Sequence, residues 1–129
     1  MDQLTTNQAT TLQSKLEKIG NALVAGFTVD KTVTVNVYHY WRPKMQAPFV
    51  VWAEDGESYE RINADNHKAE QAITGYLDYY TKTEYDPKID TIQDILNGMN
   101  GFPFSWYLDS VQYEDDTNLI HYQWIWRVA

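Results

Sequence analysis

Three histidines, two acidic clusters and two tryptophan–arginine pairs are the side chains of this 129-residue chain whose types could support chemistry. His39, His67 and His121 are the only histidines, and no two of them stand at a helical or hairpin ligand spacing. His39 shares the side of Val33, Val35 and Val37, where a hydrogen-bonded, half-buried imidazole is expected rather than a metal ligand. His67, beside Asp65 and Asn66, is the histidine best placed to touch a small ligand or a metal. Carboxylates gather at Glu54, Asp55 and Glu57 and again at Glu114, Asp115 and Asp116. Two acids can divide acid and base roles or hold a divalent cation through oxygen. The first cluster lacks the alternating oxygen spacing and distant Glu of a calcium loop, and the second is only three acids long, so both read as solvated turns. Trp41-Arg42 and Trp126-Arg127 set a guanidinium next to an indole, a pairing enriched at interfaces. Neighbours on a strand face opposite ways, so core packing and subunit contact are both open for these tryptophans.

Other chemistry is excluded or unsupported. The chain has no cysteine, hence no disulfide framework and no thiolate zinc site. Its six glycines are isolated, and none falls in a phosphate-cradling arrangement. No nucleophile has an obvious base, and no cofactor is expected. Ten basic against eighteen acidic residues give a net charge of −8, which opposes sequence-specific binding of nucleic acid, since neutralising phosphates takes a concentrated Lys/Arg surface. The opening residues lack the basic and apolar regions of a signal peptide, and no apolar run approaches the roughly 20 residues that span a bilayer. The expectation is a protein made and kept in the cytoplasm.

These side chains must be positioned by one domain, since 129 residues suffice for a single core that buries roughly two-thirds of the unfolded chain's surface. Leu12, Leu16, Ile19, Leu23 and Phe27 recur at helical spacing, predicting an amphipathic helix over 5–25 that closes near Gly26. The run 32–41 alternates Val33, Val35 and Val37 with Thr32, Thr34 and Asn36, as a half-buried strand does. A proline-bearing connection, 42–48, then leads into a strand over 49–53, expected to lie antiparallel to the first. A long polar loop follows over 54–68, a length more often functional or disordered than structural. Residues 72–83 favour a third strand through their β-branched and aromatic content.

The second helix is signposted at its start by Asp86, which can accept from free amides, and by Pro87. Its stripe is Ile89, Ile92, Leu96 and Met99, and Gly98 and Gly101 should end it. Runs over 105–113 and 120–128, joined by the acidic turn 114–118, read as a hairpin. Its last strand carries Ile120, Tyr122, Trp124, Trp126 and Val128 on one face, which needs a broad partner surface, either a core or another subunit. The order α-β-β-β-α-β-β predicts an α+β fold: a mainly antiparallel sheet of about five strands with two helices on one face.

The whole pattern resembles the tail terminator and tail-completion proteins of long-tailed bacteriophages and prophages. The likeness rests on the size, the opening helix, the strand from Pro48 to Glu54 after a proline connection, the strand from Ile73 to Lys82, the Asp86-capped helix and the closing aromatic hairpin ending in His121 to Trp126. It covers nearly the whole chain and uses no diagnostic short motif. The resemblance implies a non-enzymatic ring, usually hexameric, that caps the tail tube, stops its growth and presents the surface for joining the DNA-filled head. It implies as partners other copies of the chain, the tail tube protein and a head-completion or connector protein, in the host cytoplasm during assembly and then in the virion. On that reading Glu54, Asp55 and Glu57 would lie near the lumen or a partner face, and Trp41, Trp124 and Trp126 would support the core or the ring interface. A head–tail connector or other minor virion protein of similar build is the nearest alternative. From another class, a small-molecule-binding or hydrolytic domain would use His67, Asp65 and the aromatic face as a pocket.

Overall fold

The computed structural model describes residues 11–41, 44, 46–58, 71–99 and 103–129. Among them the chain runs α1 (Leu12–Gly26), β1 (Thr28–Val29), β2 (Thr32–Val33), β3 (Asn36–His39), β4 (Phe49–Glu57), β5 (Ile73–Thr81), α2 (Lys88–Asn97), β6 (Phe104–Glu114) and β7 (Leu119–Val128). This is an α+β fold. Five strands form one sheet in the order β3-β4-β5-β7-β6, and every pair except β3 with β4 is antiparallel.

Both helices cover the same face of that sheet. Ile19 and Leu23 of α1 and Ile92 and Leu96 of α2 pack on Val50 and Trp52 of β4, Leu77 and Tyr79 of β5, and Trp124, Trp126 and Val128 of β7. Each such side chain, taken fully out of water, contributes about 1.5–3 kcal/mol before entropy is charged against it. The Trp126 indole donates from Nε1 to the Tyr76 carbonyl at 3.0 Å. It lies directly across Gly75, where any Cβ would collide with the indole and with the Ala53 carbonyl.

The helix boundaries follow from side-chain caps. Thr11 Oγ1 accepts from the Ser14 amide at 3.1 Å and opens α1; the part of the expected helix before residue 11 lies outside the described residues. At α2 the Asp86 carboxylate takes three donors: the Lys88 amide at 2.9 Å, the Tyr79 hydroxyl at 2.6 Å and the Thr81 hydroxyl at 2.7 Å. Gly98 closes α2 as expected, and Gly101 lies outside the described residues.

Three expectations need correction. The single strand over 32–41 is broken into β2 and β3, because the Thr34 amide and hydroxyl both donate to the Phe27 carbonyl, at 2.7 and 2.9 Å, and turn the chain. β2 folds back on β1 through Asp30 and Lys31, both at positive φ, the conformation a two-residue hairpin turn demands. Val33 is therefore exposed while Val35 is buried, and His39 shares a face with Val37 alone. Second, β3 pairs with β4 in parallel, with His39 opposite Trp52. Third, β4 continues through Glu57, held by β5 as far as Ile73 opposite Glu57, so Glu54, Asp55 and Glu57 stand on a strand and not in the long loop. A register shift between Glu54 and Gly56 accommodates the irregular acidic stretch.

Candidate functional site

The two edges of the sheet carry the side chains that the core does not absorb. At one edge β6, eleven residues long, has among the described residues a strand neighbour only in β7. Cross-strand partners share a face, so Leu108, Val111 and Tyr113, opposite Trp124, Tyr122 and Ile120, lie on the helix-covered side of the sheet. Leu108 and Val111 are three residues apart yet keep one face because Asp109 is the extra residue of a bulge. The helices do not reach this end: Leu108 is 45%, Val111 51% and Tyr113 60% exposed. An apolar stripe therefore runs along an open strand edge toward the acidic turn.

At the other edge, α1 and β3 wall an open groove of about 550 Å³. Leu12, Leu16, Gly20 and Val24 line it from the helix, Val37 and His39 from the strand, and Trp52 forms its floor. Gly20 allows the close approach, since a Cβ there would stand 3.1 Å from the Trp52 ring. His39 is clamped between two rings, 4.0 Å from Trp52 and 3.7 Å from Tyr40 by centroid, both nearly parallel to it. Tyr40 follows His39 and would face the opposite way in a regular strand. Its φ of 85° breaks the alternation and brings it to the same side. For a bulky residue that conformation is strained, and the surrounding contacts must hold it.

Those contacts converge on Glu54, which follows Trp52 by two on β4 and so shares its face. His39 Nε2 lies 2.9 Å from Glu54 Oε1, and the Tyr40 hydroxyl donates to Glu54 Oε2. Burial pushes the Glu54 carboxyl up, but the bonds from Tyr40 and His39 outweigh it and hold the group below its ordinary value. The bond to Glu54, then burial, pushes the Tyr40 hydroxyl up. The arrangement is a preorganised polar end to an apolar trough, not a nucleophile with its base.

The remaining residues singled out above separate clearly. Trp124 and Trp126 are fully buried in the core, whereas Trp41 is 61% exposed and touches Tyr38 at 5.4 Å between centroids. Asp55 accepts from the Thr74 hydroxyl at 3.0 Å, across the β4–β5 pair. His121 stacks on Tyr80 and stands 3.2 Å from Asp78, on the side of the sheet away from α1 and α2. Asp65, His67 and Arg42 lie outside the described residues. Among the described residues no group of three or more His, Asp or Glu side chains could hold a metal ion, and no helix is long and apolar enough to cross a membrane. The His39–Glu54 pair escaped sequence reasoning because antiparallel pairing was expected there; only the parallel register brings the two together. No protein-family profile and no curated protein matches the chain.

Proposed function

We propose that the protein is a non-enzymatic tail-completion subunit of a long-tailed bacteriophage or prophage, of the tail terminator kind, which works as a closed ring on the end of the tail tube. The observation that carries this reading is the β6 edge. A strand of eleven residues is about 36 Å long, and among the described residues no strand pairs with its outer side, so its edge is a template for another chain. The bulge at Asp109 interrupts the edge once, and exposed apolar side chains stand on both sides of that break. Leu108, Val111 and Tyr113 are exposed on one side of the strand and Tyr107 on the other, so a neighbour docking here would bury apolar surface as well as pair backbone.

A ring needs the same contact repeated head to tail until it closes, so each subunit must offer a surface on one flank that meets a different surface on the next. β6 ends the sheet on one flank, and the other flank is built from different elements, β3 and α1. The resemblance of the chain as a whole to tail-completion proteins supplies the biological setting, and the acidic excess suits a passage that DNA must traverse without sticking.

Electron microscopy with mass measurement of the purified protein, alone and mixed with tail tubes of the same source, tests the proposal. Closed rings, or density capping the tube ends, are the expected result. A monomer that leaves tube ends bare would overturn it.

A further inference from the structure

We propose that the groove between α1 and β3 is a peptide-binding site, which takes an extended, cationic segment of a partner protein as a sixth strand beside β3. Strand addition at a sheet edge draws its affinity from main-chain bonds and its specificity from pockets for alternate side chains. The geometry here provides both. Among the described residues no strand pairs with the outer side of β3, which ends the sheet. A strand added there would turn every second side chain toward α1, the side on which Val37 and His39 already point into the groove. From Leu12 to Val24 the helix wall extends about 18 Å at ~1.5 Å per residue, the span of five or six extended residues at ~3.3 Å each. The groove volume of about 550 Å³ suits a few medium apolar side chains, not a bulky folded element.

Charge selects the occupant. Glu17 stands on the rim, Glu54 bonds the His39 that lines one end, and among the described residues no lysine or arginine lines the groove. The whole chain adds a net charge of −8. A second copy could bring its own β3, setting two chains of net charge −8 against each other, or β6, the other exposed edge. That strand carries Asp109 and Glu114 and leads directly into Asp115 and Asp116. Like charges set against one another weaken such a contact, whereas a segment alternating Val or Leu with Lys or Arg would place apolar side chains inward and cations along the acidic rim. The strained Tyr40 and the clamped His39 fix the polar end of the groove in advance, so little ordering is left to occur on binding. This proposal is independent of the ring.

The test uses the full chain and two capped seven-residue peptides, Lys-Val-Lys-Val-Lys-Val-Lys and its counterpart with Glu at every Lys position. Binding is followed by amide and indole NMR shifts. The expected result is saturable movement of the amides of residues 36–39 and of the Trp52 indole, with the cationic peptide bound at least about tenfold tighter and weakening with salt. Glu17→Lys and Val24→Lys, both at exposed positions, should each weaken it several-fold, while Asp94→Lys on the surface of α2 should not. Equal binding of the two peptides, shifts confined to β6, or no binding by a well-folded chain would each overturn the proposal. Movement of the groove amides with protein concentration alone would overturn it in favour of a second copy.

Discussion

Replacing Asp86 with alanine should cost far more stability than an ordinary cap substitution. Its carboxylate accepts from the Lys88 amide and from the hydroxyls of Tyr79 and Thr81, whose residues are almost entirely buried. Loss of a helix cap costs about 1 kcal/mol. Stranding a buried hydroxyl costs about 1–3 kcal/mol more, and two are at risk here. The sum is about 3–7 kcal/mol, a large part of the 5–15 kcal/mol that holds a typical domain together. Urea denaturation at neutral pH measures it. Adding Tyr79→Phe removes one orphaned donor, so Asp86→Ala/Tyr79→Phe should recover about 1 kcal/mol relative to Asp86→Ala alone, a non-additivity that identifies stranded polarity as the cause. The pH dependence follows with its sign. Burial raises the Asp86 carboxyl, the three donors more than offset it, and the group titrates below its ordinary value of 3.8. The native state therefore holds this proton less tightly than the unfolded chain, and the contribution is present above about pH 4 and lost as pH falls further. A loss under about 1 kcal/mol for Asp86→Ala, or a double variant no better than the single, would refute the reasoning.

Trp124→Ala and Trp126→Ala, both in the core, should each cost about 3–5 kcal/mol in urea denaturation, while Trp41→Ala should stay within about 0.5 kcal/mol. Gly75→Ala, the smallest possible change, should still destabilise by about 3 kcal/mol or more because neither the Trp126 indole nor the Ala53 carbonyl can withdraw; near-wild-type stability would show that β4 and β5 are not so closely apposed. Leu108→Lys combined with Val111→Lys should leave the urea midpoint nearly unchanged and abolish ring formation on tube ends, read by sedimentation and microscopy. Glu54→Gln should flatten the fall of the urea midpoint with acid, since the wild-type carboxylate stabilises the fold only above its depressed titration and loses that contribution as pH falls through it.

What was legible in the sequence was what local pattern controls. The spacing of Ile19 and Leu23, the Asp86-Pro87 start, the β-branched and aromatic run around Leu77 and the period-two run around Trp124 each reflect one element meeting one core, and they stand where expected. What failed was pairing. Whether 32–39 and 49–57 run parallel or antiparallel is decided by the connection between them and by the competing hairpin of β1 and β2, and neither leaves a periodic trace. The error carried into the site: with the wrong orientation His39 has no reason to meet Glu54, and the acidic residues 54–57 look like loop because charged side chains dilute a strand pattern. Their backbone pairs with β5 regardless, because ladder bonds do not depend on side-chain polarity.

The aromatic face of the last strand, which could have belonged to a core or to another subunit, lies in the core at Trp124, Trp126 and Val128 and is half-buried at Ile120 and Tyr122. β7 is ten residues long, about 33 Å of extended chain, whereas α2, also ten residues, is only about 15 Å of helix. A helix that short cannot roof the whole strand. It starts at Asp86, bonded to Thr81 opposite Ile120, passes Trp124, whose indole donates to Gln93 at 3.1 Å, and ends at Asn97, which accepts from the Trp106 indole at 3.0 Å. The exposed stripe on Leu108, Val111 and Tyr113 is the continuation of the core face sideways onto the edge strand β6. That the chain keeps a long apolar edge open on β6 is the strongest physical reason to look for a neighbour there.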